Sequence, residues 1–256
     1  MESVYPIISF LHVPGKMSKP LWLMLGTAFR FSLAGFDTKH YLLTSKHTFS
    51  PWEFTSDASQ LKIPEEFRKM RYVVGRIYQK KVEHGLDISS TVFDDLSLKL
   101  VHPTMDLAVI EQTSFRHVQV NEVALSLNPS YLPKGSPVLI YGFRGNGQLG
   151  ELDTLDAGVL DSLPEEERKQ FLASLENVEG KQSGALCSAL VVDPRGMCKG
   201  VSDVDQCFHG MSGSPLLSAD HLSTGGILYG KHASCETNIG YVPSKEIVDW
   251  LKGALS

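Results

Sequence analysis

A chain of 256 residues, 42% hydrophobic and 21% charged, has the composition of a folded globular protein with enough length for one large or two small cores. Its 22 glycines and 13 prolines are ordinary frequencies, which excludes collagen-like and low-complexity chains. A net charge of −5 without a basic stripe argues against a nucleic-acid partner, and no apolar run approaches the ~20 residues of a membrane helix.

The first pronounced element is the apolar run Pro20–Phe29, PLWLMLGTAF, which follows Lys16 and Lys19. That is the rough layout of a secretory signal. Cleavage after Ala28 would, however, remove strand-forming residues, so the run reads as the start of a strand. Without export, the four cysteines are expected as thiols in a reducing compartment, the cytoplasm or an organelle such as the mitochondrion. GTAFRFSL and HYLLTS are β-rich runs joined by AGFD, a hairpin pattern. RYVVGRIYQKKVEH continues in the same style, and DLAVIEQ has the composition of a buried strand. The stretch Asn128–Pro137, rich in proline, marks a boundary between β-rich halves at 1–127 and 128–256. In the second half, SPVLIYGF follows the turn signal LPKG, and GGILYGKH and IGYVP close the strand series. Many short strands at close spacing indicate an all-β barrel or sandwich.

Two segments have helical character. LPEEERKQFLASLENVEG carries Pro164 and acidic residues in its first turn and Gly180 at its end, which predicts a solvated helical insertion over 161–180. PSKEIVDWLKGAL predicts a C-terminal helix over 244–254, with Ser244 as N-cap and Ile247, Trp250 and Leu251 on one docking face.

Three polar residues stand at the edges of strand-like runs: His47 after YLLTSK, Asp106 before LAVI, and Ser212 in GMSGSP. A serine hydroxyl is a weak nucleophile near neutral pH and needs a base, and the base needs a carboxylate to fix its tautomer. Histidine suits the base role because its ordinary pKa is ~6.5. Singly, each residue also fits a turn, cap or strand-end role. The order His, Asp, Ser is one of those in which such a triad occurs.

In these segments the chain resembles the chymotrypsin-like serine protease family. LLTSKHTF is similar to that family's Thr-Ala-Ala-His-Cys segment, HPTMDLAVI to its His-Pro-x-x-Asp-x-Ala-x-Leu segment, and GMSGSP to its Gly-Asp-Ser-Gly-Gly-Pro segment. VPSKEIVDWL resembles its terminal helix. The resemblance implies two six-stranded antiparallel β-barrels with a cleft between them. His47 and Asp106 would come from the first and Ser212 from the second. It further implies a peptide or protein substrate, no cofactor and no metal, and an oxyanion hole formed by the N–H groups of Gly210 and Ser212. Gly213 would permit close approach of the substrate backbone.

The chain departs from the family pattern at several places. Met211 stands where the family has Asp, so activation by ion pairing with a new N-terminus is not expected; the HtrA-like and viral branches share that departure. Ser214 replaces a glycine, Lys46 an alanine, and Thr48 the disulfide cysteine. Gly230-Lys231-His232 resembles the Gly-x-His of glutamyl endopeptidases and viral cysteine proteases, which implies that His232 and Gly230 help select Glu or Gln before the scissile bond. Cys207 would flank the same pocket. A Cys207–Cys235 bridge, a zinc site built from Cys207, His209, Cys198 and Cys235, and buried thiols are the three readings of the cysteines. The alternative to a peptidase is a catalytically silent protease-fold protein, a binding or assembly subunit that could dock a partner through 161–180.

Overall fold

The computed structural model describes residues 3–11, 21–49, 71–83, 86–112, 124–143, 148–151, 184–201, 211–219, 221–231 and 238–255. Their strands are β1 (Val4–Leu11), β2 (Leu21–Ser32), β3 (Tyr41–Thr44), β4 (Arg71–Glu83), β5 (Leu86–Val101), β6 (Ala108–Gln112) and β7 (Leu125–Leu127) in the first half. The second half supplies β8 (Pro137–Phe143), β9 (Gln148–Glu151), β10 (Gly184–Asp193), β11 (Met197–Gly200), β12 (Pro215–Leu217), β13 (Ser223–Lys231) and β14 (Asn238–Pro243). One helix, α1 (Ser244–Ala254), follows β14 directly.

Strand pairing closes two antiparallel rings of six. The first runs β1-β4-β5-β6-β3-β2 and closes through β1–β2; the second runs β13-β12-β8-β10-β11-β14 and closes through β13–β14. Closure removes the exposed edges that an open sheet would leave. The rings are joined by β7, which lies parallel to both β2 and β13. β9 pairs antiparallel with β2, so a strand from the second half also reaches the first ring. The apolar run once readable as a leader forms β2, which pairs with β1, β3, β7 and β9.

Residue alternation explains where the cores sit, because successive strand side chains point to opposite faces. Ala28, Leu42 and Ile110 join Tyr5, Ile7, Leu96 and, from the turn after β3, Phe49 in a cluster inside the first ring. Val138, Ile140, Cys187, Ala189, Val191, Leu228, Ile239 and Tyr241 belong to the corresponding cluster of the second. The residues next along the same strands, Phe29, Leu43, Val109, Ile227 and Val242, face a third cluster, which draws on both rings and α1. Each such fully buried aliphatic or aromatic side chain contributes about 1.5–3 kcal/mol relative to exposure.

α1 matches the predicted range, but its start differs from the expectation. Pro243, at φ −63° and ψ 142°, is the N-cap, and Ser244 is already helical. The reason is the strand before it: Pro243 still pairs with Gly226 of β13, so the chain turns into the helix with no intervening residue. Ser244 Oγ is buried and has no hydrogen-bond partner among the described residues. Ile247, Val248 and Leu251 are buried, and Trp250 packs against the same cluster from the side. The expected insertion at 161–180 lies outside the described residues. No helix among them is long and apolar enough to cross a membrane.

Candidate active site

His47 sits in a single 3-10 turn, Lys46–Thr48, that begins one residue after β3. Asp106 sits in the turn that enters β6. β3 and β6 pair antiparallel with Thr44 opposite Ala108, so the end of one strand and the start of the other are neighbours. The carboxylate holds the histidine twice: the His47 backbone N–H donates to Oδ1 at 2.9 Å, and Nδ1 lies 2.5 Å from Oδ2. An ionised carboxylate only accepts, so Nδ1 carries the proton and Nε2 keeps its lone pair. The side chains are 26% and 13% exposed for His47 and Asp106, so the ring is reachable while the carboxylate is largely covered.

Ser212 stands in a tight turn between the rings. Met211 is fully buried in the second-ring cluster, and its carbonyl accepts from Ser214 N–H at 3.0 Å and from Ser214 Oγ at 2.6 Å. The residue that replaces a family glycine therefore ties the turn to its own start. Gly213 has φ +89°, a conformation that favours glycine. An added Cβ there would stand 1.8 Å from Thr27 O and 2.7 Å from Thr44 Oγ1. The close approach expected at Gly213 is thus to the protein's own β2 and β3.

One carbonyl links the two halves of the site. Leu228 O, on β13, accepts from Gly213 N–H at 2.7 Å and from Ser45 Oγ at 2.8 Å. Ser45 lies two residues before His47, and Gly213 one after Ser212. A second link runs through β2: Thr27 N–H donates to Ser212 O at 2.7 Å, and Thr44 Oγ1 donates to Thr27 O at 2.8 Å. Thr48 joins this network through Thr44 at 3.1 Å and Ser45 O at 2.6 Å. Ser212 is 9% exposed, and its Oγ lies 3.4 Å from Tyr229 O, a long contact. Tyr229 falls where the β13–β14 register shifts between Leu228 and Gly230, a bulge that re-aims its side chain across Gly240. Burial, and secondarily the Asp106 charge, raises the Tyr229 phenol above its ordinary pKa.

Of the other residues expected here, Gly210, Cys207 and His232 lie outside the described residues, as do His209 and Cys235. Gly230 is in β13 at φ +145°. Cys198 is a buried thiol whose Sγ lies 3.7 Å from Ile239 O, and burial pushes its pKa up to about 12. Among the described residues no group of His, Cys, Asp and Glu could hold a metal. Thr27, Thr44, Ser45 and Leu228 were not expected to organise the site. The only trace of them in the sequence is the clustering of hydroxyls around His47 in TSKHT.

No family model and no curated protein matches the chain in sequence. Solved structures do match it in shape. The HtrA-type protease AlgW with a decapeptide aligns at TM-score 0.53 and 12% identity, covering 99% of this chain and 64% of that one. Deg5 aligns at TM-score 0.50 and 14% identity, over 97% of this chain and 86% of that one. The fold is that of the chymotrypsin-like serine proteases. The MamO protease domain from Magnetospirillum magneticum aligns at TM-score 0.49 and 13% identity over 98% of this chain and 96% of its own. At these identities the likeness is one of architecture.

Proposed function

We propose that this chymotrypsin-like chain is a serine endopeptidase with His47 as general base, Asp106 as its orienting carboxylate and Ser212 as nucleophile. The observation that carries the reading is the two-point hold of Asp106 on His47, which leaves Nε2 as the basic nitrogen. In the reaction, Nε2 takes the proton from Ser212 Oγ as Oγ bonds to the scissile carbonyl carbon. The negative charge passes to the carbonyl oxygen, where the N–H groups of Gly210 and Ser212 would receive it. His47 then gives its proton to the leaving amine, and the C–N bond breaks to leave an acyl-enzyme. Water, deprotonated by His47, attacks that ester, and Ser212 recovers its proton. Each oxyanion donor is worth roughly 2.7–4 kcal/mol of barrier. His232, with Gly230 and Cys207 beside it, would select Glu or Gln before the scissile bond. A reducing compartment suits the buried thiols of Cys187 and Cys198.

A second reading, a silent protease-fold binding subunit, draws support from the low exposure of Ser212 and the contact of its hydroxyl with Tyr229 O. Labelling with a fluorophosphonate probe separates the two. Labelling of wild type and not of Ser212→Ala supports the peptidase, whereas folded wild type that resists the probe supports the silent subunit. A peptide library then tests the pocket: faster cleavage after Glu or Gln is expected, and a preference for Arg or Phe removes His232 from the role.

A further inference from the structure

The HPTMD segment contains a second histidine that the proposed chemistry does not use. His102 closes the turn that presents Asp106. Its backbone N–H donates to Leu107 O at 3.0 Å, and Leu107 N–H donates to Met105 O at 2.9 Å. Its ring Nδ1 accepts from Met105 N–H at 2.8 Å and from Thr104 N–H at 3.2 Å. The ring is braced from outside the turn by Trp250 of α1, edge to face, with centroids 5.2 Å apart and planes at 65°.

We propose that His102 is a positioning residue for Asp106: its Nδ1 gathers the two amides before Asp106, and Trp250 keeps the imidazole in place. Holding the Met105 amide fixes the Thr104–Met105 peptide plane, and the bond from Leu107 N–H to Met105 O holds the next plane, which carries Asp106 Cα. The carboxylate is thereby aimed so that its two oxygens meet the two donors of His47. His102 touches neither substrate nor reacting atoms, and the inference rests on the peptidase reading for its effect on catalysis.

The arrangement has a definite protonation state. Nδ1 has one lone pair, so it accepts only while unprotonated, and the neutral ring carries its proton on Nε2. Burial lowers the His102 pKa, and the opposing influence is the carboxylate of Glu246 on α1, which itself accepts from Tyr131 Oη. The charged group on its own turn is Asp106. Because the folded pKa lies below the ordinary ~6.5, the turn holds its shape above that pH and loses it as pH falls through the lowered value. Acid would therefore loosen the turn that presents Asp106 through His102.

The test compares wild type, His102→Ala and His102→Asn, whose Oδ1 can accept from amides two and three residues on. Fluorophosphonate labelling of His102→Ala should be roughly 10–100-fold slower, as expected for a small misplacement of an orienting group. His102→Asn should come back to within about threefold of wild type, and the loss of labelling in acid that protonation of His102 causes in wild type should be absent from it. The downfield NMR resonance of the His47 Nδ1 proton supplies a readout that needs no activity. It should persist in His102→Asn and shift or vanish in His102→Ala, while buried methyl resonances show that both variants remain folded. An unchanged resonance in His102→Ala overturns the proposal, as does equal slowing in the two variants. Wild type that never labels sinks the peptidase reading, and the resonance still decides the role of His102.

Discussion

At the scale of single residues, the site is a matter of which atom faces which. Asp106 accepts twice, from a backbone amide and from a ring nitrogen, and replacing one oxygen by an amide group reverses that pattern. Asp106→Asn should keep the fold and stabilise the wrong tautomer of His47, lowering the fluorophosphonate labelling rate by about 10⁴-fold. Gly213 is constrained by two independent facts, its positive φ and the wall formed by Thr27 O. Gly213→Ala should abolish labelling and destabilise the fold, read as a fall in Tm, by more than the about 1–3 kcal/mol that the strain of φ alone costs, because the turn must also retreat from β2. The neighbourhood of His47 and Asp106 was readable in the sequence through the motifs around them, and the structure places these two in contact. Thr27 and Leu228 were not readable, because they act through main-chain groups that every residue type possesses. Met211 was legible as a departure from the pattern, and its burial in the second-ring cluster supplies the physical content: apolar packing anchors the turn.

Elements carry their own tests. α1 docks through Ile247, Val248 and Leu251, which are all but inaccessible. Leu251→Ala should cost about 2–5 kcal/mol in denaturant unfolding. Ser244 is the opposite case, a buried hydroxyl without a partner among the described residues, so Ser244→Ala should be neutral or stabilising by up to about 1 kcal/mol. A Tm fall in Ser244→Ala would show that the hydroxyl caps the helix after all. The hairpin of β2 and β3, the buried run of β6 and the terminal helix were all readable from alternation or helical spacing. β10 was missed because its inward residues, Cys187, Ala189 and Val191, are small, while the exposed Leu186 and Leu190 between them reverse the usual polarity. β5 was missed because LDISSTVFDDLSLKLV scatters acidic and hydroxyl residues through a strand of 16 residues.

For the whole molecule, the two closed rings bury groups that resist ionisation. The Cys198 thiol is raised to about 12 by burial, and Tyr241 is raised for the same first reason. Both stay neutral in the folded state while their unfolded counterparts ionise, so stability is full below about pH 9 and falls as pH rises beyond it. The urea midpoint should therefore decline steadily above that pH, with a shallower slope in Cys198→Ala. A flat profile between about pH 9 and 11 would contradict the burial argument. The all-β architecture was legible from the many short strand-like runs between turn signals. The stitching by β7 and β9 was not, since three or four residues leave too short a pattern to read.

The carbonyl of Leu228 sets a limit on mutagenesis. An acceptor that belongs to the peptide unit survives any exchange of the side chain attached to it, so the link between the His47 and Ser212 segments is carried by the path of the chain. Chemistry, rather than genetics, is then needed to perturb it. Converting the 228–229 amide to an ester by semisynthesis would weaken that oxygen as an acceptor, and the imidazole and hydroxyl segments should lose their shared anchor together.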